Sequence, residues 1–348
     1  MKEFKIGKTK IGGDSPVFVI AEAGVNHNGD INIAKKMIDA AVEFGASAIK
    51  FQTFKAEKLA TKEAPKAEYQ KELANKEESQ LDMLKKLELN KEETREIFNY
   101  CSKKLIEYFS TPYGFETASI LEELGTSAYK IGSSDIDNYP LLKQIAKYEK
   151  PVILSSGMST LGEIVDSLNW LREGGCKEIA LLHCVTSYPA NFEDVNLRVM
   201  QTFQQAFDIP IGFSDHTLGI AAPLAAVALG AELIEKHFTL DKNMIGPDHK
   251  ASLEPKEMKS MIDGIRNIET SLGSPVKKLL QSEIPIKEVA RKSITAAIDI
   301  PKGTIITEDM LAVKRPGIGI SPKYWKIIIG RKTRADIKKD EMISWKMV

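Results

Sequence analysis

The sequence predicts an α/β fold, a (β/α)8 barrel followed by a small β-rich domain, and three observations predict it. Short apolar runs alternate with helix-periodic segments in eight strand–helix units over about 270 residues, the count and length of that barrel. The first strand-to-helix turn, Ala23-Gly24-Val25-Asn26-His27-Asn28-Gly29, lacks a G-x-G-x-x-G loop, which argues against the rival doubly wound sheet. Past Ser274-Pro275 the predicted strands become short and the turns frequent.

The units follow in order. After an N-terminal strand or hairpin, the apolar run 17–21 ends in Glu22, and Asp30 is the expected N-cap of a helix closed near Gly45. The run 46–51 ends around Lys50, Gln52 and Thr53. Residues 55–90 are charged and helix-leaning, and read as a solvated excursion forming a partial lid. Helix 91–104 leads to strand 105–110 with Ser110 and Thr111, and helix 115–124 to strand 127–131 with Lys130, Ser133 and Asp135. Helix 139–148 precedes a strand ending in Ser155 and Ser156; helix 161–173 precedes one ending in His183, with Thr186 and Tyr188 beyond it. A helical stretch at 197–206 leads into run 209–213, which ends in Ser214-Asp215-His216. Helix 218–229 and strand 232–234 then bring in His237, and helix 255–271 closes the set. The barrel is assigned to 1–275, a linker to 276–292 and the β-rich domain to 293–348. Segments 299–306 and 336–343 echo each other as strand, turn, strand, suggesting a twofold-like domain.

The 348-residue chain balances 48 Lys plus Arg against 48 Asp plus Glu, which removes a broad electrostatic case for nucleic acid or membrane surface. Cys101, Cys176 and Cys184 lack metal-ligand spacing and fit buried thiols in a reducing compartment. The N-terminus lacks an apolar signal region and no stretch reaches bilayer length, so a cytoplasmic protein is expected.

In such a barrel the carboxyl ends of the strands converge on one mouth, which carries the chemistry. The residues expected there sort by type. Lys50, Lys130 and a ring of serine and threonine hydroxyls suit a phosphate and a carboxylate. His216 and His237, at the ends of adjacent parallel strands, suit a shared divalent ion completed by substrate and water. Glu22 is a lone carboxylate among cations, a natural proton carrier. Ion pairing of Lys50 with Glu22 and of Lys130 with Asp135 is the blander expectation. His183 reads as a packed, hydrogen-bonded imidazole, and Asp248 as a better sugar-binding candidate than its neighbour His249.

The segments IAEAGVNHNGD, AIKFQTFKAEKL, KIGSSD, ILSSGM, LLHCVTSYPA, GFSDHT, EKHFTLDKNMIGPDHKASLEP and VKRPGIGISP occur in that order. Together they resemble the sialic acid synthase family, which includes the legionaminate and pseudaminate synthases. The resemblance spans essentially the whole chain, with a C-terminal SAF domain like type III antifreeze protein (a β-clip). It implies a transferase that condenses phosphoenolpyruvate with N-acetylmannosamine and water to give N-acetylneuraminate, releasing phosphate by C–O cleavage. The alternative acceptor it implies is 2,4-diacetamido-2,4,6-trideoxymannose, giving N,N'-diacetyllegionaminate. By the same resemblance His216 and His237 hold Mn²⁺ or Mg²⁺, and Glu22 transfers the proton around water addition. Lys50, Thr111, Lys130, Ser133, Ser155, Thr186 and Ser214 match phosphoenolpyruvate-binding positions; Gln52, Asp135, Tyr188 and Asp248 match sugar-binding positions. Arg315 matches an arginine that reaches the sugar in trans, which implies a homodimer with swapped SAF domains. Two positions depart from the family pattern: Asp135 stands where Glu is usual, and Thr186 where some members carry Asn. The rival readings are a Schiff-base aldolase using Lys50 or Lys130, and a non-catalytic sugar-binding protein.

Overall fold

A computed structural model describes residues 3–66 and 79–348. The chain divides into two compact units, Met1–Gly273 and Ser274–Val348. The first opens with an antiparallel hairpin, β1 (Glu3–Ile6) and β2 (Thr9–Gly12). Eight parallel strands follow: β3 (Phe18–Gly24), β4 (Ala48–Thr53), β5 (Glu107–Pro112), β6 (Tyr129–Ile131), β7 (Val152–Ser155), β8 (Ile179–Cys184), β9 (Ile211–Asp215) and β10 (Leu233–His237). Their order is β5-β4-β3-β10-β9-β8-β7-β6, a nearly closed barrel with its seam between β5 and β6. At that seam Thr126 Oγ1 donates to the Tyr108 carbonyl at 3.4 Å and Ser127 Oγ to Glu107 at 3.0 Å.

Period-two alternation sorts the strand side chains into two cores. Phe18, Ile20, Ala48, Phe109, Ala128, Ile153, Ala180, Leu182 and Leu233 face inward, and Phe4, Ile6 and Ile11 of the hairpin close the end where the strands begin. Their outward neighbours, among them Val19, Ile49, Tyr108, Ile131, Leu154, Leu181, Phe213 and Ile234, pack against Met37, Ile38, Leu121, Leu142, Leu168 and Met261 of the surrounding helices. Inward positions nearer the strand ends therefore have no apolar layer above them, and there the sequence turns polar.

Helix ends are fixed by side chains. Asp30 accepts from the Asn32 N–H as N-cap of helix Ile31–Glu43, as expected, and Asn90–Glu93 and Thr160–Glu163 form reciprocal capping boxes. Two expectations change here. The helix after β9 starts only at Ala221, so Leu218 to Ile220 belong to the preceding turn. The excursion after β4 contains helices Ala56–Leu59 and Gln80–Leu87, and the second buries Leu81, Met83 and Leu87. It is thus amphipathic and packed, not simply solvated; its residues 67–78 lie outside the described residues.

In the second unit, β11 (Ser293–Ala296) pairs antiparallel with β12 (Leu311–Lys314) around Ile294, Ile300, Ile306, Ile320, Ile328, Ile337 and Ile343. The two echoing segments meet through Ile300 and Ile337, which exchange backbone hydrogen bonds of 2.8 and 2.9 Å. They form single bridges where strand–turn–strand repeats were expected. The segment 276–292 was expected to be a plain linker but includes helix Ile284–Ala290. Among the described residues no helix is long and apolar enough to cross a membrane.

Candidate active site

Register brings the polar strand ends together. Glu22 on β3 lies opposite His237 of β10 on one side and Lys50 of β4 on the other. Glu235 lies opposite Ser214 of β9, and Gln52 opposite Thr111 of β5. These side chains open into a cavity of about 770 Å³ at the carboxyl end of the barrel, the face where barrels of this kind carry their chemistry. Of the expected site residues in the first unit, Glu22, Lys50, Gln52, Lys130, Ser133, Ser155, Thr186, Tyr188, Ser214, His216, His237 and Asp248 line it. Thr111 stands behind Lys50, accepting from Nζ at 3.2 Å. Asp135 does not line the cavity: Asn138 Nδ2 donates to it at 2.7 Å. Arg315 belongs to the second unit.

The floor is a charge network. Lys50 Nζ lies 2.9 Å from Glu22 Oε2 and 3.7 Å from Glu235 Oε1, and Lys130 Nζ lies 3.5 Å from the same Glu235 oxygen. Lys130 donates to Ser155 Oγ at 2.6 Å, and Ser214 Oγ to Glu235 at 3.0 Å. The expected Lys130–Asp135 pair is therefore replaced by Lys130–Glu235. The reason is position: Asp135 sits in the turn after β6, capped by Asn138, whereas Glu235 rises from the barrel interior. Sequence reading missed Glu235 as a site residue. The signal was available, since Glu235 precedes His237 by two in a strand and so shares its face.

Burial sets the electrostatics. It pushes the Glu22 carboxyl up to about 7, against Lys50 and with help from Glu235. Burial also disfavours the Lys50 charge, but Glu22 and Glu235 outweigh it and hold the ammonium above its usual range. Lys130 is drawn below its usual value by burial, which Glu235 only partly offsets. Burial likewise raises Asp248 to about 6 and lowers His216 to about 4, with His237 well below its ordinary value. The site thus combines a committed cation, a carboxyl poised near neutrality and two neutral imidazoles.

The turns that present these groups are tightly built. Gly157, at φ +37°, follows Ser155-Ser156; a Cβ there would stand 2.1 Å from Ser133 Cβ and 2.5 Å from Thr186 Oγ1. Ser133 and Thr186 are themselves hydrogen-bonded at 3.0 Å. Behind β9, Asp215 accepts from Lys236 Nζ at 2.5 Å and from the Thr217 N–H at 2.9 Å, a fully enclosed pair that fixes the turn carrying His216. Removing one member of such a pair costs roughly 3–5 kcal/mol. His183 faces outward, where its Nε2 donates to the Val195 carbonyl at 2.6 Å and its ring packs on Phe203 and Phe213. It is the packed imidazole that the sequence predicts.

The histidine pair fits the ligand chemistry of a divalent metal. The Val185 carbonyl can only accept, so His216 Nδ1, 2.7 Å away, carries the proton and Nε2 keeps its lone pair. His237 Nδ1 is buried without a hydrogen-bond partner among the described residues, 4.0 Å from Asp248 Oδ2. The two ring centroids lie 5.5 Å apart, and the Tyr188 ring lies over His216 with centroids 4.0 Å apart and the planes tilted by 32°. Among the described residues no group of three or more His, Cys, Asp or Glu side chains is grouped closely enough to hold an ion, so these two imidazoles fit only with further ligands from substrate or water.

Known proteins share this architecture. The NeuB family profile matches residues 37–277 and the SAF domain profile residues 291–348. The N,N'-diacetyllegionaminic acid synthase of Campylobacter jejuni is 49% identical over 327 residues, covering 93% of this chain and 98% of that protein. The N-acetylneuraminate-9-phosphate synthase of Homo sapiens is 39% identical over 347 residues, covering 97% and 94%. The N-acetylneuraminic acid synthetase structure from Leptospira borgpetersenii, solved with citrate, aligns with a TM-score of 0.73 at 39% identity, covering 82% of this chain and 94% of that one.

Proposed function

The chain belongs to the NeuB family of sialic and legionaminic acid synthases and carries a C-terminal SAF domain; on that premise we propose that it condenses phosphoenolpyruvate with an N-acetylated mannose-type sugar and water, releasing phosphate. The observation that carries this reading is the pairing of two buried lysines and a ring of hydroxyls with a carboxyl poised near neutrality at one mouth.

Lys50 and Lys130, backed by Thr111, Ser133, Ser155, Thr186 and Ser214, bind the phosphate and carboxylate of phosphoenolpyruvate through charge-assisted hydrogen bonds. Gln52, Tyr188 and Asp248 hold the sugar, with Asp135 contributing only if its Asn138 contact is exchanged. His216 and His237 would hold a divalent ion such as Mn²⁺ or Mg²⁺, which when bound would supply Lewis-acid polarisation of the acceptor carbonyl. The new bond forms between C3 of phosphoenolpyruvate and the aldehyde carbon. The aldehyde π pair moves to its oxygen, which takes up a proton. Glu22 accepts one proton of the water that adds at C2, and the C2–O bond to phosphate breaks with its electron pair leaving on phosphate, which takes up the remaining hydroxyl proton as C2 becomes a ketone. Holding both substrates in line contributes roughly 7–11 kcal/mol of the rate enhancement. Membership of the family supports two acceptors equally, N-acetylmannosamine and 2,4-diacetamido-2,4,6-trideoxymannose. The same reading includes a homodimer in which Arg315 of the partner subunit reaches the sugar. Three free, buried cysteines suit a cytoplasmic setting.

Phosphate release from phosphoenolpyruvate, measured with each sugar and added Mn²⁺, tests the reaction. Release that stops with EDTA and returns with Mn²⁺ is expected, with no inactivation by pyruvate plus borohydride. Activity indifferent to EDTA but destroyed by pyruvate and borohydride would establish the Schiff-base route through Lys50 or Lys130 instead.

A further inference from the structure

The cavity has two unlike sides. Lys50, Lys130 and the hydroxyls form one; the other is mainly apolar and comes largely from helix Gln80–Leu87, which presents Met83, Leu84 and Leu87, with Gln80 at its start, beside Leu59 and Val25. Met83 and Leu87 are buried against Val25 and Phe54, which ordinary core packing explains. Leu84 is only partly buried against the same cluster, and both it and Leu59 line the cavity; Leu59 remains 38% exposed, so apolar surface is left facing the place where substrate would lie.

The helix is anchored rather than draped. A Cβ on Gly29, at φ +73°, would stand 2.3 Å from the Lys86 carbonyl, so the loop after β3 lies directly on the helix backbone. At its end Glu88 accepts from Lys55 Nζ at 3.0 Å and from the Ala56 N–H at 2.7 Å, and Ser79 caps its start through the Asp82 N–H. A fixed apolar wall can read a ligand's shape, whereas a mobile one would adapt to it.

Charge narrows the ligand further. Among the described lining residues, Lys50 and Lys130 are the cations, both already beside carboxylates, while Glu22, Glu235 and Asp248 add negative charge. A second phosphate on the acceptor would meet those carboxylates, with neither of the two described lysines free to receive it.

Building on the synthase reading above, we propose that helix Gln80–Leu87 with Leu59 is the acceptor-selecting wall, and that it favours a neutral sugar whose far end carries methyl groups, as 6-deoxy and 4-acetamido substituents, in place of hydroxyls. A methyl group against such a wall is worth roughly 10–200-fold in discrimination, because a hydroxyl there would be desolvated without a partner.

The test compares kcat/KM for 2,4-diacetamido-2,4,6-trideoxymannose, N-acetylmannosamine and N-acetylmannosamine 6-phosphate, using the full chain with Mn²⁺. The diacetamido sugar is expected to lead N-acetylmannosamine by about tenfold or more, with the phosphorylated sugar poorest. Leu84→Gln and, at the more exposed position, Leu59→Gln should each compress that ratio by raising the diacetamido sugar's KM, while KM for phosphoenolpyruvate stays put. Phosphate release with an equal or inverted ratio in the wild type, or a ratio unmoved in both variants, overturns the wall's role alone. Absence of phosphate release with every sugar overturns the reaction itself and the wall's role with it.

Discussion

Glu22 is where burial and charge are most finely opposed. It sits between His237 and Lys50 in register, its carboxyl raised to about 7 although an ammonium lies 2.9 Å away. Below that value it holds its proton, and above it the carboxylate accepts one. If Glu22 takes the proton of the adding water, kcat/KM rises with pH through about 7. Gln52 Nε2 donates to Glu22 Oε1 at 3.5 Å; Glu22→Gln keeps the shape and that acceptor, removes the limb, and lowers kcat by roughly 10²–10⁴-fold. The pH–rate profiles of wild type and variant decide it; a variant within tenfold of wild type, or one that keeps the limb near 7, would place the proton carrier elsewhere. Glu235 has the opposite setting. Burial raises it, but Lys130 and Lys50 outweigh that and keep it ionised between them. Two carboxyls on neighbouring strands are thereby driven apart in acidity, the arrangement that assigns acid–base roles in many enzymes.

At the scale of elements, the loop after β7 shows how little freedom the mouth has. Gly157→Ala would combine a strained positive φ with a Cβ overlapping Ser133 and Thr186. It should disturb the Ser133–Thr186 hydrogen bond and raise KM for phosphoenolpyruvate about tenfold or more, with less effect on KM for the sugar. Isothermal titration with phosphoenolpyruvate would show it; unchanged affinity in a folded variant would mean this loop does not carry the anion. How much of the site could be read from sequence follows from the same geometry. Strand ends are legible because an apolar run that stops at Lys50, Lys130 or Ser155 marks the point where the interior meets the mouth. Glu235 was obscured because the apolar run stops at 234, just before it, whereas β10 continues to His237, and only alternation along that longer strand places Glu235 inward. The lysines' partners were not legible either. Which carboxylate meets Lys130 depends on the β6–β7–β8–β9–β10 order around the barrel, and Asp135, near in sequence, is turned away by its own Asn138 contact. Charge density misled in 55–90, where the apolar positions of helix Gln80–Leu87 are spaced among lysines and acids that face solvent.

At the scale of the molecule, the five histidines share one property. His27, His183, His216, His237 and His249 are all buried, and burial holds each below its ordinary value. Raised carboxyls at Glu22, Asp135 and Asp248 work the other way, since the folded chain there binds protons that the unfolded chain releases. Five groups against three leaves the unfolded state binding more protons between about 6.5 and 4.5, so stability falls on acidification. His27 isolates one contribution away from the mouth. It is fully enclosed, with Asp30 and His249 as its titratable neighbours, and is held from 6.5 down to about 4. The sign follows from that direction. Its stabilising share is whole above 6.5 and is lost as pH falls toward 4, because only the unfolded chain takes up the proton in that window. The shift is worth roughly 3 kcal/mol across the window. His27 Nδ1 accepts from the Gly29 N–H at 3.0 Å, and the side-chain oxygen of Asn can accept in its place. His27→Asn should therefore fold at pH 7, with a urea midpoint that drops less steeply between 6.5 and 4.5 than that of the wild type. A wild-type midpoint that rises on acidification, or a variant whose slope matches it, would show that His27 is not held neutral by its surroundings.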